Sequence, residues 1–565
     1  MSVKKETERG AAVVIALMVL ALLTIMAMGA LFTATRAIEI SGADSQNMKA
    51  FYVADAGMNR TILALLDHYT SFKSFRTGGS NWSLDLDGDG NPSSSELTPI
   101  SGGTVSWAGL TNPTLNEWLN AQSTYNVATF DTASSCMGRM LGGKCYGQYY
   151  EVRLARAGKG VRVLSLAKFN DDTDDSNDRI DAAIEYLVTI ITGSICDNAI
   201  FGASSSIGHR IVGNVNIHGG VTVLCDNENF TANDVGFEVG GNAAIYDNWE
   251  GGAGQGLDST MRSRMDPLYT DETGRETLDT KVLIQTCNMQ NNSGAFQIGT
   301  EDAPVDTVIV DGGFTGSHTN PSTFIYADNP VLTGEGQFAN YVGNAMPEFP
   351  LLHDEDGHLS DNDLGRSIAA QIPGHDLASA NPAWCNLGNS TPNLSFGAPG
   401  CTCVAGGTST CDICFFDNGN KLEVNTDTVF DLSGCATASI RDVTYTGKAT
   451  MYYGDTNIAV DGNLMVADGE SFPSTSVIGF LTAGQINIGN SAQSKMMGLF
   501  YAQDQITVSK QTQLAGIVIT DRFSVGNQVP DFFQVPDLDQ NAPAGFEEIC
   551  GGNERLNTGG WRLVY

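Results

Sequence analysis

Residues 11–32, AAVVIALMVLALLTIMAMGALF, hold no charge and no proline. As a helix rising about 1.5 Å per residue the stretch is about 33 Å long, enough for the hydrocarbon core of a bilayer. The leader before it, MSVKKETERG, sets Lys4, Lys5 and Arg9 against Glu6 and Glu8. Such basic residues hold the short N-terminal side in the cytoplasm, so the rest of the chain is expected outside it. Helix-compatible sequence continues without proline to about Tyr69. Within it Met48, Phe51, Met58, Ile62, Leu65, Leu66 and Tyr69 recur mostly three or four apart, which predicts one apolar stripe. The expectation is one long helix over 11–70, membrane-embedded in its first half and amphipathic in its second.

Two other readings fit the apolar stretch. A secretory signal peptide has an apolar core of about 7–15 residues and a small-x-small cleavage site. The core here is longer, although Ala27-Met28-Gly29 has that form. A plain signal anchor fits the flanking charges equally well. Beyond the charges, Arg9-Gly10 runs into Ala11-Ala12-Val13-Val14-Ile15, and Ala50-Phe51-Tyr52-Val53-Ala54-Asp55-Ala56-Gly57 follows. These residues resemble a type IV prepilin and, within that superfamily, the PilX-type minor pilins. The resemblance implies cleavage by prepilin peptidase after Gly10 and N-methylation of Ala11. It implies contact with other pilins through the N-terminal helix, storage in the inner membrane with the body in the periplasm, and later a place in the pilus at the cell surface. Major pilins carry Glu at the fifth mature residue, where its carboxylate meets the neighbouring subunit's terminal amine. That position is Ile15 here. Loss of this Glu recurs in PilX-like and type II secretion K-like subunits, which favours an initiating or tip position over a repeating shaft.

A chain of 565 residues is too long for one ordinary domain. Its formal charge of −34 repels phosphate backbones and anionic headgroups, so no nucleic-acid partner is expected. Carboxylates at this density instead attract cations. Twelve cysteines, none before Cys136, fall on the extracytoplasmic side, where an even count reads first as disulfides. Cys136 and Cys145 flank a short loop and make a natural local pair. Cys401, Cys403, Cys411 and Cys414 are close enough for a zinc or iron–sulfur site, but the spacing C-x-C-x7-C-x2-C matches no common metal knuckle. Disulfides are the expectation there as well.

The sharpest local motif is Asp85-Leu86-Asp87-Gly88-Asp89-Gly90-Asn91-Pro92-Ser93-Ser94-Ser95-Glu96. It fits the calcium loop D-x-D-x-D-G-x5-E at every ligand position. Asp85, Asp87 and Asp89 would give side-chain oxygens and Asn91 its carbonyl. Ser93 would bind directly or through water, and Glu96 would bind with both oxygens. Pro92 occupies the position whose N–H normally pairs with a sister loop, so this is a solitary site for Ca²⁺. A solvated Asp/Gly turn is the bland alternative.

From 71 to 195 the pattern predicts a headpiece. Tyr149 to Ala155 and Val161 to Leu166 alternate apolar and polar residues about a Gly-containing turn, a hairpin. Ala183 to Ile191 supplies a third strand. From about Cys196 short β-rich bursts alternate with glycine and asparagine, as in Ile211 to Ile217, Val221 to Val223 and Phe237 to Val239. Near the C-terminus the triplets Ile486-Asn487-Ile488, Ile506-Thr507-Val508 and Phe523-Ser524-Val525 repeat. Each follows a glycine-led apolar burst, at Gly479, Gly498 and Gly516. Coils of about 18–20 residues holding short strands are the mark of a β-solenoid, with a sandwich as the alternative. The fold class is α+β: a long pilin helix with a small antiparallel sheet, then a mainly-β, solenoid-like body over 196–345 and 441–565. A Cys/Pro-rich insertion over 346–440 interrupts it. There His353, His358 and His375 lie among Asp354, Glu355, Asp356, Asp361 and Asp363, and the expectation is a solvated acidic loop.

No nucleophile elbow, phosphate loop, dinucleotide fingerprint or zinc-protease helix motif occurs. The chain is expected to be a non-enzymatic minor pilin acting in pilus initiation or tip assembly and in surface adhesion, its surface ligand open. The alternatives are a type II secretion tip subunit and a membrane-anchored, polysaccharide-active solenoid.

Overall fold

The computed structural model describes residues 28, 48–59, 61–62, 97–99, 126–128, 139–141, 144–157, 160–170 and 179–192, most of 194–550, and 554–558 with 562–563. The chain divides into two units. One comprises 1–189 and 558–565, and the other 190–557. The second unit is therefore an insertion into the first in sequence terms.

In the first unit the predicted hairpin forms from the strands Lys144–Ala157 and Gly160–Asn170. Arg179–Thr192 pairs antiparallel with the second of these, and Arg562–Leu563 pairs antiparallel with Arg179–Thr192 on its other edge. Tyr150, Val152, Val163, Ala167 and Ile184 form one buried face, and Leu164 and Leu166 are buried on the opposite face, so 163–167 is covered on both sides. Residues 48–59 and 61–62 are helical, which with the sheet gives the small α+β headpiece expected.

The second unit is mainly β, and most of its strands pair in parallel. The pairings fall into three columns that the chain visits in turn. Three stretches make one coil: 477–482, 485–488 and 495–498. The next coil lies on it in register: Phe480 on Phe500, Ile486 on Ile506, Met496 on Leu464 to one side and on Leu514 to the other. Ile486, Ile506 and Phe523 thus form one inward ladder, and Ile488, Val508 and Val525 a second, all buried. Burying each such side chain contributes about 1.5–3 kcal/mol, so the ladders carry much of the unit's stability. The glycine-led bursts are out of step by one position at their start. Gly498 does pair with Gly516, but Gly479 pairs with Leu499.

Coil order in space is not chain order. The first coil, 200–218, lies in the interior of the stack. On one side it meets 221–246, and 281–298 and 307–333 follow outward. On the other side it meets the last coil: Val518 pairs with Ile200, Ser524 with Arg210 and Asp531 with Asn216. The chain builds outward from the middle, travels to the far end, and climbs back to where it began. The return run is the Cys/Pro-rich segment. Phe349 stacks on Tyr501 at 5.8 Å, His353 bonds Tyr452, and the backbone N–H of Asp431 donates to the His375 carbonyl. It thus passes down the outside of the first column. Helices Asp363–Gln371 and Leu377–Ala380 interrupt it, each N-capped by a side chain (Asn362, Asp376). The antiparallel strands Leu394–Phe396, Ile413–Phe416 and Lys421–Val424 close the stack's lower end.

Candidate functional site

The stem helix buries Ala50, Val53, Ala54, Gly57, Met58 and Thr61, spaced three and four apart as one stripe. It is not the stripe that the large apolar residues predict. Met48 and Tyr52 are 59% and 62% exposed, and Phe51 and Ile62 are half-buried. Gly57 supplies the reason. A Cβ on it would meet Ser165 Oγ at 2.6 Å and the Tyr150 ring at 2.7 Å. At Gly57 helix and sheet approach so closely that no side chain fits between them; of the predicted stripe Met58 stays buried, while Met48 is turned outward. Leu65, Leu66 and Tyr69 lie outside the described residues. Thr61 Oγ closes the stripe by donating to the Gly57 carbonyl at 2.8 Å.

This Ala- and Gly-lined helix falls within residues 9–59, which match the family model described as PilX N-terminal. The N-terminal segment is of the PilX type. The chain carries that PilX-type N-terminus together with a large β-rich body. Among solved structures, the crystal structure of the competence-associated pilin ComZ from Thermus thermophilus is similar at 18% identity and a TM-score of 0.48. The match covers 92% of this chain and 98% of that one. No curated protein matches the sequence.

Gly10 and Ala11, the expected processing residues, lie outside the described residues, as do Asp85, Asp87, Asp89, Asn91, Ser93 and Glu96, the expected calcium ligands. So does the apolar stretch 11–32, apart from Met28. Among the described residues no helix is long and apolar enough to cross a membrane.

All eight cysteines whose side chains are described stand in disulfides. Cys196 joins Cys550, Cys225 joins Cys287, and Cys385 joins Cys435. Cys411 and Cys414 are also oxidised and pack with Phe416 in a small apolar cluster of their own. Two of the four candidate thiolate ligands are thereby removed from any metal site. Cys136, Cys401 and Cys403 lie outside the described residues, and of Cys145 only its place in the strand Lys144–Ala157 is described.

The three histidines of the return run are not brought together. His358 is exposed, while His375 Nδ1 meets the Gln371 carbonyl at 3.0 Å and its ring lies edge-on to Phe430. His353 departs from the solvated loop expected of it, for it is buried against the first column. Its Nε2 lies 2.8 Å from the Tyr452 hydroxyl. Its Nδ1 lies 2.7 Å from Asp455 Oδ1, a charge contact outside hydrogen-bond alignment. Backbone N–H groups of Leu352 and His353 both donate to Gln503 Oε1, and Gln503 Nε2 donates back to the His353 carbonyl. The arrangement clamps the return run. Tyr452, Asp455 and Gln503 have no mark in the sequence, because each is paired across about 100 residues or more. Among the described residues no group of three His, Cys, Asp or Glu side chains is placed to hold a metal ion.

Proposed function

We propose that the chain is a minor, non-shaft type IV pilin-like subunit acting in pilus initiation or at the tip, and that its body is a β-solenoid serving surface adhesion. The PilX-type match over residues 9–59 carries this reading. Ile15 in place of Glu supports a position outside the repeating shaft. The exposed Met48 and Tyr52 supply apolar surface for neighbouring pilin helices. Three parallel columns favour a solenoid over a sandwich, whose strands pair antiparallel. In this reading prepilin peptidase cuts between Gly10 and Ala11, Ala11 is N-methylated, and the protein waits in the inner membrane before it reaches the pilus. N-terminal mass analysis of the mature protein should begin at methylated Ala11; a start at Met1 or after residue 29 refutes the processing.

Position is tested by immuno-electron microscopy of sheared fibres with antibody to the body. A few labels at fibre ends are expected. Even labelling along the shaft, or none on fibres from expressing cells, refutes the reading. A type II secretion tip subunit shares the Ile15 feature, and the identity of the labelled fibre separates the two.

Asp85, Asp87, Asp89, Asn91, Ser93 and Glu96 are further proposed to bind Ca²⁺ and stiffen the segment after the stem helix. Extracellular modules of this kind bind at about 10⁻⁴–10⁻³ M, so the site fills outside the cell and not in the cytosol. Calcium should raise the melting temperature of the parent protein and not of Asp85→Ala/Glu96→Ala. Equal melting temperatures with calcium and with chelator refute it.

A further inference from the structure

The three columns of the body are not equally covered. Stretches 200–203, 221–224, 307–310 and 477–482 of the first column are buried at every position, as are 216–218, 244–246 and 464–466 of the third. The return run and the short helices Leu538–Asn541 and Glu547–Cys550 lie over the first column, with Phe546 against Gly479 and Lys448 Nζ donating to the Asn541 carbonyl. The segment around Asp258 lies over the third, where its N–H donates to Gln513 Oε1 and its carboxylate meets Lys495 Nζ at 2.8 Å. The second column alternates instead. In 485–488, 505–508 and 522–525 the inward residues are buried and the outward ones half-buried. Among the described residues, the hydrogen bonds and ion pairs of this outer row run to its own rungs and their neighbours.

The outer row is continuous over nine rungs, from Ser439 through Asn487, Thr507 and Ser524 to Gln290 and Thr315. At about 4.8 Å per rung it is about 38 Å long. Its charges come in opposite pairs. Arg210 Nε lies 3.4 Å from Glu238, and Arg522 bonds Asp504, which also accepts Gln485 Nε2 at 2.7 Å. On a chain of formal charge −34 this is an electrically balanced strip. What remains, apart from Ala459 and the Thr315 hydroxyl, which is buried, is hydroxyl and carboxamide, groups that both donate and accept hydrogen bonds.

We propose that this open column binds an extended, uncharged β-linked polysaccharide laid along the stack. Charge selects the occupant. A polyanion is repelled by the protein's net charge, a polycation finds no unpaired carboxylate in the row, and a neutral hydroxylated polymer meets neither obstacle. The row carries no Trp, Tyr or Phe, the anchors on which protein partners concentrate their binding energy. A straight ladder of equal steps suits a straight polymer of equal units. Each rung contributes weakly, and rungs fixed on one rigid scaffold act as linked sites. This names a ligand class for the adhesive part of the reading above and rests on it.

The test uses full-length mature protein in detergent micelles. It measures retention on insoluble cellulose, chitin and β-mannan, with alginate beads and duplex DNA as anionic counter-probes. Retention on at least one neutral polysaccharide is expected, with at least a tenfold loss for Asn487→Asp/Thr507→Glu, which places two unpaired carboxylates in mid-row. Thr323→Glu, exposed and outside the row, should bind as the parent does. Melting temperatures of all three proteins verify folding. The proposal is overturned if no neutral polysaccharide retains the protein, if the double variant binds equally, or if only the anionic probes bind. Retention is read on purified protein and filament position by microscopy, so either can fail without the other.

Discussion

Asn216 donates its side-chain amide to Asp531 Oδ1 at 2.8 Å across 315 positions of sequence. The pair marks the seam at which the last coil of the body settles on the first. His209 sits at the same seam, in the inward ladder that also holds Phe523 and Phe237, and its ring closes on Gly202, where a Cβ would stand 2.3 Å away. Its Nε2–H donates to the Ala203 carbonyl at 2.8 Å and its Nδ1 accepts from the Phe523 N–H at 3.2 Å, which requires the neutral ring.

These two groups titrate with opposite effect. Burial pushes His209 down to about 4, against the pull of its bond to the Ala203 carbonyl. Its contribution is therefore complete above its ordinary value of 6.5 and is lost as pH falls toward 4. Burial pushes Asp531 up to about 6, against hydrogen bonds from Asn216 and Gln513. Protonation of the folded state thus favours folding: that contribution is complete below the ordinary 3.8 and is lost as pH rises through about 6. Asp531→Asn should raise stability at pH 7 by about 1–2 kcal/mol, less than the full shift at about 1.4 kcal/mol per unit. The gain should vanish near pH 4. Melting temperatures of parent and variant, subtracted at each pH, check it, and a pH-independent difference would refute it.

Cys196–Cys550 closes a loop of 354 residues across the two ends of the body, whereas Cys225–Cys287 spans 62. A longer loop restricts the unfolded chain more, so Cys196→Ser/Cys550→Ser should cost about 3–5 kcal/mol and exceed the loss from Cys225→Ser/Cys287→Ser. Denaturant midpoints of the two double variants give the order. The reverse order would show that local packing, not chain entropy, sets their value.

Gln503→Ala removes the three hydrogen bonds that hold Leu352 and His353. A loss of about 2 kcal/mol is expected, confined to the return run. Amide exchange should rise over 349–354 and stay unchanged in the second column at 505–508. Uniform acceleration would mean that the return run and the stack unfold as one.

Much of the body was legible in the sequence because of how its columns are covered. Bursts such as Val477 to Thr482 are apolar throughout because both faces are buried, and triplets such as Ile486-Asn487-Ile488 alternate because one face is open. The order of the coils was not legible. Pairings such as Ser524 with Arg210 join segments about 300 residues apart, and no periodicity spans that distance. The stem stripe was misread for a third reason. Hydrophobicity ranks Phe51 above Ala54, but the depth of a contact is set by how near two backbones come, and Gly57 sets that distance.

Gly57 therefore yields the most specific test of the headpiece. Its position faces Ser165 Oγ and the Tyr150 ring, both on the buried face of the sheet. Added volume there has no space, so the helix must lift or the strands must part. Gly57→Ala should destabilise the headpiece by about 1 kcal/mol and Gly57→Leu by about 3 kcal/mol, although both residues favour a helix more than glycine does. Propensity and packing thus predict opposite signs, which makes the outcome decisive. Asn59→Ala, two positions away and exposed, is the comparison that shares the gain in propensity without lying at this close contact. Limited proteolysis of the stem and the thermal transition of the headpiece measure the effect. A Gly57→Leu protein as stable as its parent would refute the close approach and restore the large apolar residues as the packing face.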